Sequence, residues 1–267
     1  SRFPYYVNTY GFHGIHGRAP AVASGVKLAN PDLSVWVITG DGDALAIGGN
    51  HLMHVLRRNI DLNIILFNNK VYGLTKGQYS PTSPEGLITK TSPAGVLEQD
   101  VNTGALAIGS GATFFARVID NDVKHLKQVM LQAAQHKGTA LIEVLQNCVI
   151  FADGIHHDFT DKQLKEDNTM YLEHGQPMLF GAKKTKGIRL RGLTPEVVEI
   201  GVDGVTIQDI CVHDATQPSS AMHFLLATLE RTTMPLALGV LRAVSKESYH
   251  EKKRTQLTLN TKKNPFL

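Results

Sequence analysis

The sequence has only two cysteines among 267 residues, Cys148 and Cys211. That excludes a disulfide scaffold and points to a reducing, cytoplasmic setting. No apolar run approaches the ~20 residues that cross a bilayer, so no membrane helix is expected. The opening Ser1-Arg2-Phe3-Pro4-Tyr5-Tyr6 lacks the charged and apolar regions of a secretory signal. It also lacks an initiator methionine, so Ser1 is expected to lie inside a longer gene product. Charge of one sign is scarce, the net value being +3. The basic clusters Lys183-Lys184-Thr185-Lys186 and Lys252-Lys253-Arg254 have no interleaved aromatics. They read as a solvated loop and tail, and no nucleic-acid partner is expected. There is no Gly-x-Ser-x-Gly nucleophile elbow and no internal repeat.

What is present begins with Leu33-Ser34-Val35-Trp36-Val37-Ile38-Thr39, an apolar run that reads as a buried strand and ends in Gly40-Asp41-Gly42-Asp43. A helix is predicted over Ala44 to Arg58, with Leu45, Leu52, Met53, Val55 and Leu56 on its apolar face. A second strand, Leu62 to Phe67, delivers Asn68-Asn69. In a parallel sheet both strand ends lie on one edge, where ligands bind. An Asp oxygen, an amide oxygen and a backbone carbonyl there suit Mg²⁺, a hard cation that shares its ligands with phosphates. Gly40 and Gly42 permit a sharp turn and close backbone approach, and the helix N-terminus suits a diphosphate. Taken alone, Gly-Asp-Gly is first a turn signal.

The rest of the chain alternates in the same way. A short helix is expected over Pro20 to Ala29, and a long loop over Lys76 to Asn102. Then come helix Thr103–Ser110, strand Thr113–Ile119, helix Val123–His136 and strand Ala140–Leu145. This pattern predicts an α/β fold, a parallel sheet with helices on both faces. Residues 150–191 look irregular; a helix returns at Ser220–Arg231 and a strand at Leu236–Arg242. Residues 1–149 are therefore expected to form the binding domain. Residues 150–267 are expected as an irregular extension packed on it and on a partner, with the polar tail after Lys246 ordered by that partner.

Three further stretches narrow the reading. They are Gly14-Ile15-His16-Gly17-Arg18-Ala19, the run Asn68-Asn69-Lys70-Val71-Tyr72-Gly73-Leu74-Thr75-Lys76-Gly77-Gln78-Tyr79-Ser80-Pro81-Thr82, and Glu143-Val144-Leu145-Gln146-Asn147-Cys148. With the Gly-Asp-Gly…Asn-Asn pair they resemble the beta subunits of 2-oxoacid:ferredoxin oxidoreductases, most of all the 2-oxoglutarate members. The resemblance covers nearly the whole chain, from Ser1 to about Arg242. It implies the thiamine-diphosphate-binding fold of the pyrophosphate type. It also implies Mg²⁺ held by Asp41, Asn69 and the Val71 carbonyl, while Asn68 reads as structural or as a supporting hydrogen-bond partner. Gly40, Gly42, Asp43 and Ala44 would offer backbone groups to the diphosphate; Asp43 reads equally as a helix N-cap. His16, Tyr72, Gly73 and Leu74 would lie beside the cofactor, Leu74 as an apolar wall.

Arg2 and Lys76 would orient substrate carboxylates, or else be solvated surface cations. His13 and His16 have metal-like spacing, but Gly14 and Gly17 argue against a helix that would align them. Cys148 alone reads as a small buried hydrophobe; the resemblance makes it one ligand of a [4Fe–4S] cluster. The three other cysteines of that pattern are absent from this sequence. The implied reaction is CoA-dependent oxidative decarboxylation of 2-oxoglutarate to succinyl-CoA and CO₂, with electrons passed to ferredoxin, or its reversal to fix CO₂. The implied partners are ferredoxin and an alpha or fused gamma-alpha subunit, in a dimer of alpha-beta heterodimers. Rival readings are a pyruvate or broad 2-oxoacid enzyme, a non-oxidative thiamine-dependent decarboxylase or synthase, and a non-catalytic binding subunit.

Overall fold

The computed structural model describes residues 2–229 and 233–263. After a short helix α1 (Phe3–Tyr6), helix α2 (Ala19–Ala29) leads into strand β1 (Trp36–Gly40). The predicted first strand is shorter than expected, because Leu33–Val35 lie outside it. The predicted Ala44–Arg58 helix is two helices, α3 (Asp41–Leu45) and α4 (Gly49–Arg58). The break falls where the backbone of residues 17 and 48 crosses. A Cβ on Gly48 would lie 2.4 Å from the Asp43 carbonyl, and one on Gly17 (φ +75°) 2.7 Å from the Gly48 nitrogen. Only glycines allow that approach.

Strand β2 (Asn63–Asn68) follows, then a small hairpin of β3 (Val71–Tyr72) and β4 (Gln78–Tyr79) that interrupts the long predicted loop. Helix α5 (Thr103–Gly109), strand β5 (Phe114–Ile119), helix α6 (Val123–Gln135) and strand β6 (Ala140–Leu145) complete the alternation. Asn102 and Asp122 cap α5 and α6 with their side chains.

The segment expected to be irregular holds short helices α7 (His157–Thr160) and α8 (Lys165–Asn168), then strands β7 (Thr169–Leu172), β8 (Leu179–Phe180), β9 (Lys186–Arg191) and β10 (Thr194–Glu199). Helix α9 (Ala221–Ala227), strand β11 (Leu236–Ala243) and helix α10 (Tyr249–Lys263) end the described chain. Ser1, and Glu230 and Arg231 at the end of the predicted Ser220–Arg231 helix, lie outside the described residues. The tail is thus helical rather than irregular. The Ser248 amide donates to Glu251 Oε2 at 2.7 Å, and the Glu251 amide to the Ser248 hydroxyl at 3.3 Å, the reciprocal cap of Ser-x-x-Glu.

The main sheet has six strands in the order β1-β2-β6-β5-β11-β7. The first four are parallel, while β11 runs antiparallel to β5. Strands β7 and β11 come from residues 150–267, so the extension is woven into the sheet rather than only laid upon it. Helices α2, α4 and α5 cover one face through Ala23, Leu52, Val55 and Ala107. Helix α6 covers the other through Val129 and Ala133. Strands β8, β9 and β10 form a separate antiparallel sheet. Strands β5 and β6 are buried along their whole length, as expected of a doubly covered sheet. Their two charged residues, Arg117 and Glu143, are direct cross-strand neighbours.

Candidate functional site

The β1–β2 register pairs Gly40 with Phe67, so Asp41, just past the end of β1, comes level with Asn68, the last residue of β2. The β2–β6 register pairs Asn68 with Leu145, which brings Cys148 to the same edge. Asp41 opens α3 and is only 2% exposed. Its Oδ2 accepts hydrogen bonds from Ser80 Oγ at 2.6 Å and Thr82 Oγ1 at 2.5 Å. Burial pushes its carboxyl above the ordinary range, against those hydroxyls and nearby backbone amides, which pull it down. Among the described residues no cationic side chain pairs with it. A buried carboxylate of this kind, held by hydroxyls and backbone rather than by a cation, is chemically matched to a hard divalent cation.

Asn68 is held on every side. Its Nδ2 donates to Glu143 Oε1 at 2.8 Å, its Oδ1 faces the Thr82 hydroxyl at 2.9 Å, and its carbonyl accepts from the Gln146 amide at 3.0 Å. His156 Nε2 lies 3.0 Å from the same carbonyl. That is the supporting role expected of Asn68. Burial raises the Glu143 carboxyl, but the Arg117 guanidinium at 2.7 Å and the Asn68 amide overcome it and hold it at about 2. Asn69 is half-buried, and its Oδ1 lies 3.3 Å from the Val71 nitrogen.

Asp43 is not the helix N-cap, a place taken by Gly40. It lies inside α3 and clamps the preceding loop. Its Oδ1 accepts from the Gly17 amide at 2.6 Å and meets His16 Nδ1 at 2.7 Å, while Oδ2 accepts from Thr39 Oγ1 at 2.5 Å. Thus His16 reaches the turn through Asp43, and His13 instead packs edge-on against Tyr5 at 5.6 Å. The Tyr72 hydroxyl donates to the Gly42 carbonyl at 2.9 Å. A Cβ on Gly42 would lie 2.1 Å from that ring, so this glycine is required for the contact.

The β3–β4 turn carries Gly73, Leu74 and Lys76, whose φ is +66°. Leu74 is 99% exposed. The turn leans on the loop after β6, since a Cβ on Gly77 would lie 3.1 Å from the Phe151 ring. Phe3 packs 5.7 Å from Phe67, which sets neighbouring Arg2, an exposed residue, at this end of β2. Cys148 is half-buried. Cys211 lies elsewhere, packed against the core beside Ile188, and burial pushes its thiol up. A [4Fe–4S] cluster takes four thiolates, and this chain brings one cysteine to the edge.

Ser80, Thr82, Glu143, Arg117 and His156 were not singled out as site residues from sequence. Ser80 and Thr82 stood inside the quoted motif without a role. A charged residue in the middle of each of two apolar strands was the signal for Arg117 and Glu143. His156 carried only the weak metal-like signal of the His156-His157 pair.

Residues 1–144 match the family described as "Thiamine pyrophosphate enzyme, C-terminal TPP binding domain". Over 258 residues the chain is 49% identical to the 2-oxoglutarate oxidoreductase subunit KorB of Mycobacterium tuberculosis, covering 96% of this chain and 68% of that one. It is 51% identical over 153 residues to 2-oxoacid:ferredoxin oxidoreductase 1, subunit beta, of Aeropyrum pernix, covering 57% and 48% of the two chains. The chain thus matches about half the length of that archaeal relative. Among solved structures, a 2-oxoglutarate:ferredoxin oxidoreductase from Magnetococcus marinus with 2-oxoglutarate, coenzyme A and succinyl-CoA bound superposes with a TM-score of 0.72 at 28% identity. That match covers 96% of this chain and 74% of the other.

Proposed function

Because the chain belongs to the family of 2-oxoacid:ferredoxin oxidoreductase beta subunits, we propose that it serves a 2-oxoglutarate:ferredoxin oxidoreductase, converting 2-oxoglutarate and CoA to succinyl-CoA and CO₂. The observation that carries this reading is the buried Asp41 at one strand end beside Asn68-Asn69 at the next, without a cationic partner among the described residues. Thiamine diphosphate, when bound, supplies the electron sink that lets a 2-oxoacid lose CO₂.

This chain's residues bind, orient and shield. Asp41, Asn69 and the Val71 carbonyl would hold Mg²⁺ beside the diphosphate. Gly40, Gly42, Asp43 and Ala44 would offer backbone groups, while Asp43 fixes the His16 loop. Tyr72, Gly73 and Leu74 would wall the cofactor. Arg2 and Lys76 would receive the carboxylates of a diacid, which favours 2-oxoglutarate over a monoacid. Cys148 would contribute one thiolate to a [4Fe–4S] cluster, whose other three ligands are not in this sequence. Residues 1–149 carry these groups, and residues 150–267 pack on them and on the partner. An alpha or fused gamma-alpha subunit closes the site in a cytoplasmic dimer of heterodimers, and ferredoxin takes the electrons.

The test is CoA-dependent viologen or ferredoxin reduction by the full-length protein with its natural partner subunit. A preference for 2-oxoglutarate over pyruvate supports the proposal. A preference for pyruvate keeps the mechanism and overturns the substrate, and no reduction by the cofactor-loaded complex overturns the reaction.

A further inference from the structure

We propose that Thr82 is a positioning residue for the cation site, its buried hydroxyl fixing one oxygen of the Asp41 carboxylate beside the Asn68–Glu143–Arg117 cluster. The inference rests on the Mg²⁺ reading of Asp41 and deepens it.

The cluster begins in the dry centre of the sheet. Arg117 Nε donates to Glu143 Oε2 at 2.7 Å, and Glu143 Oε1 accepts from Asn68 Nδ2 at 2.8 Å. An ionised carboxylate only accepts hydrogen bonds, so the Asn68 amide has one allowed orientation, with Oδ1 turned away from Glu143. That oxygen lies 2.9 Å from Thr82 Oγ1, but a threonine hydroxyl has one proton, and the nearer and charged acceptor, Asp41 Oδ2 at 2.5 Å, takes it. Ser80 Oγ adds a second donor to the same Oδ2 at 2.6 Å and stands 3.2 Å from the Thr82 hydroxyl. Thr82 and Ser80 are 1% and 2% exposed, so water does not compete.

The terminal torsion of an Asp side chain is broad and has little preference of its own. Two short hydroxyl contacts on one oxygen remove that freedom and leave Oδ1 as the oxygen the hydroxyls do not engage. A carboxylate set in this way can meet a metal without first being ordered. Outer partners of metal ligands act in the same manner. Thr82 and Ser80 both donate to the carboxylate, and Thr82 makes the shorter contact.

The experiment uses the assembled complex stripped of metal and cofactor. Mg²⁺ is titrated at saturating thiamine diphosphate by calorimetry, and Mn²⁺ is substituted to read the site by electron paramagnetic resonance. Thr82→Val is expected to weaken the metal about 10- to 100-fold and broaden the Mn²⁺ spectrum. Thr82→Ser, which restores the hydroxyl, is expected to stay within about threefold of wild type by the same logic. Thr82→Ala serves as the second variant if Val prevents folding. Metal binding within threefold of wild type in Thr82→Val or Thr82→Ala, with Asp41→Ala abolishing it, overturns the positioning role and keeps the Mg²⁺ reading. Unchanged binding in Asp41→Ala overturns the Mg²⁺ reading itself. Loss of unliganded stability without loss of affinity marks Thr82 as merely structural and also overturns the positioning role.

Discussion

Two asparagines close opposite ends of the central strands, and they do so differently. Asn59, ahead of β2, sits in the left-handed region at φ 53°. Its Oδ1 accepts from the Thr113 hydroxyl at 2.7 Å and the Thr139 amide at 3.0 Å. Its Nδ2 donates to the carbonyls of Lys246 at 3.1 Å and Glu247 at 3.3 Å. Every partner is neutral, and the side chain's bonding capacity is used within the protein. Asn68, at the far end of β2, instead stands between two carboxylates, bonded to Glu143 and separated from Asp41 by Thr82. One, Glu143, is matched by Arg117; the other, Asp41, meets only hydroxyls and backbone. A neutral cluster that satisfies itself is a fastening. A charged cluster left one cation short is a receptor.

The largest expected effect breaks the charged end. Glu143→Gln leaves the Arg117 guanidinium in a dry strand without its counter-ion and should cost about 3–5 kcal/mol, read by urea unfolding at pH 7. The sign with pH follows from the depressed carboxyl. The wild-type pair is fully stabilising above the ordinary 4.5 and loses that contribution as pH falls toward about 2. Acid unfolding curves should therefore lie closer together for variant and wild type at pH 3 than at pH 6. Asp41→Ala should weaken Mg²⁺ and thiamine diphosphate binding by more than the about 100-fold that an outer partner accounts for. The unliganded melting temperature should not fall, because a desolvated carboxylate has been removed.

The neutral end should behave in the opposite way. Asn59→Ala should cost about 2 kcal/mol of stability, from lost buried hydrogen bonds and strain at positive φ, with metal affinity unchanged by calorimetry. A drop in affinity there would break the division of labour between the two ends. The smallest effect belongs to the exposed Lys186–Asp167 pair at 2.8 Å, where Lys186→Ala should move stability by less than ~0.5 kcal/mol after solvent screening.

Much of the charged end was legible because it rests on local signals. Strand ends are marked by the change from apolar to Gly-Asp-Gly and to Asn-Asn, and parallel pairing then brings Asp41 and Asn68 together. What could not be read depends on partners distant in the chain. Nothing local shows that the turn at Ala46–Gly48 must bend to admit Gly17, or that Thr39 and Gly17 would draw Asp43 away from capping. Strand β7 is four residues long, too short for periodicity to stand out, and its pairing with β11 spans a long stretch of chain. The helical tail was signalled by Ser248-x-x-Glu251, a cue outweighed by the polarity around it.

Leu74 has a consequence beyond the wall proposed for it. It stands wholly exposed on its turn, and Ile15, Val149 and Ile150 are exposed on neighbouring segments at the same end of the sheet. An oily rim of this kind is what chaperones and quality-control proteases detect on unassembled chains. A copy made in excess of whatever covers that rim should be held or degraded, so the cell's supply of this chain is set by the supply of its cover.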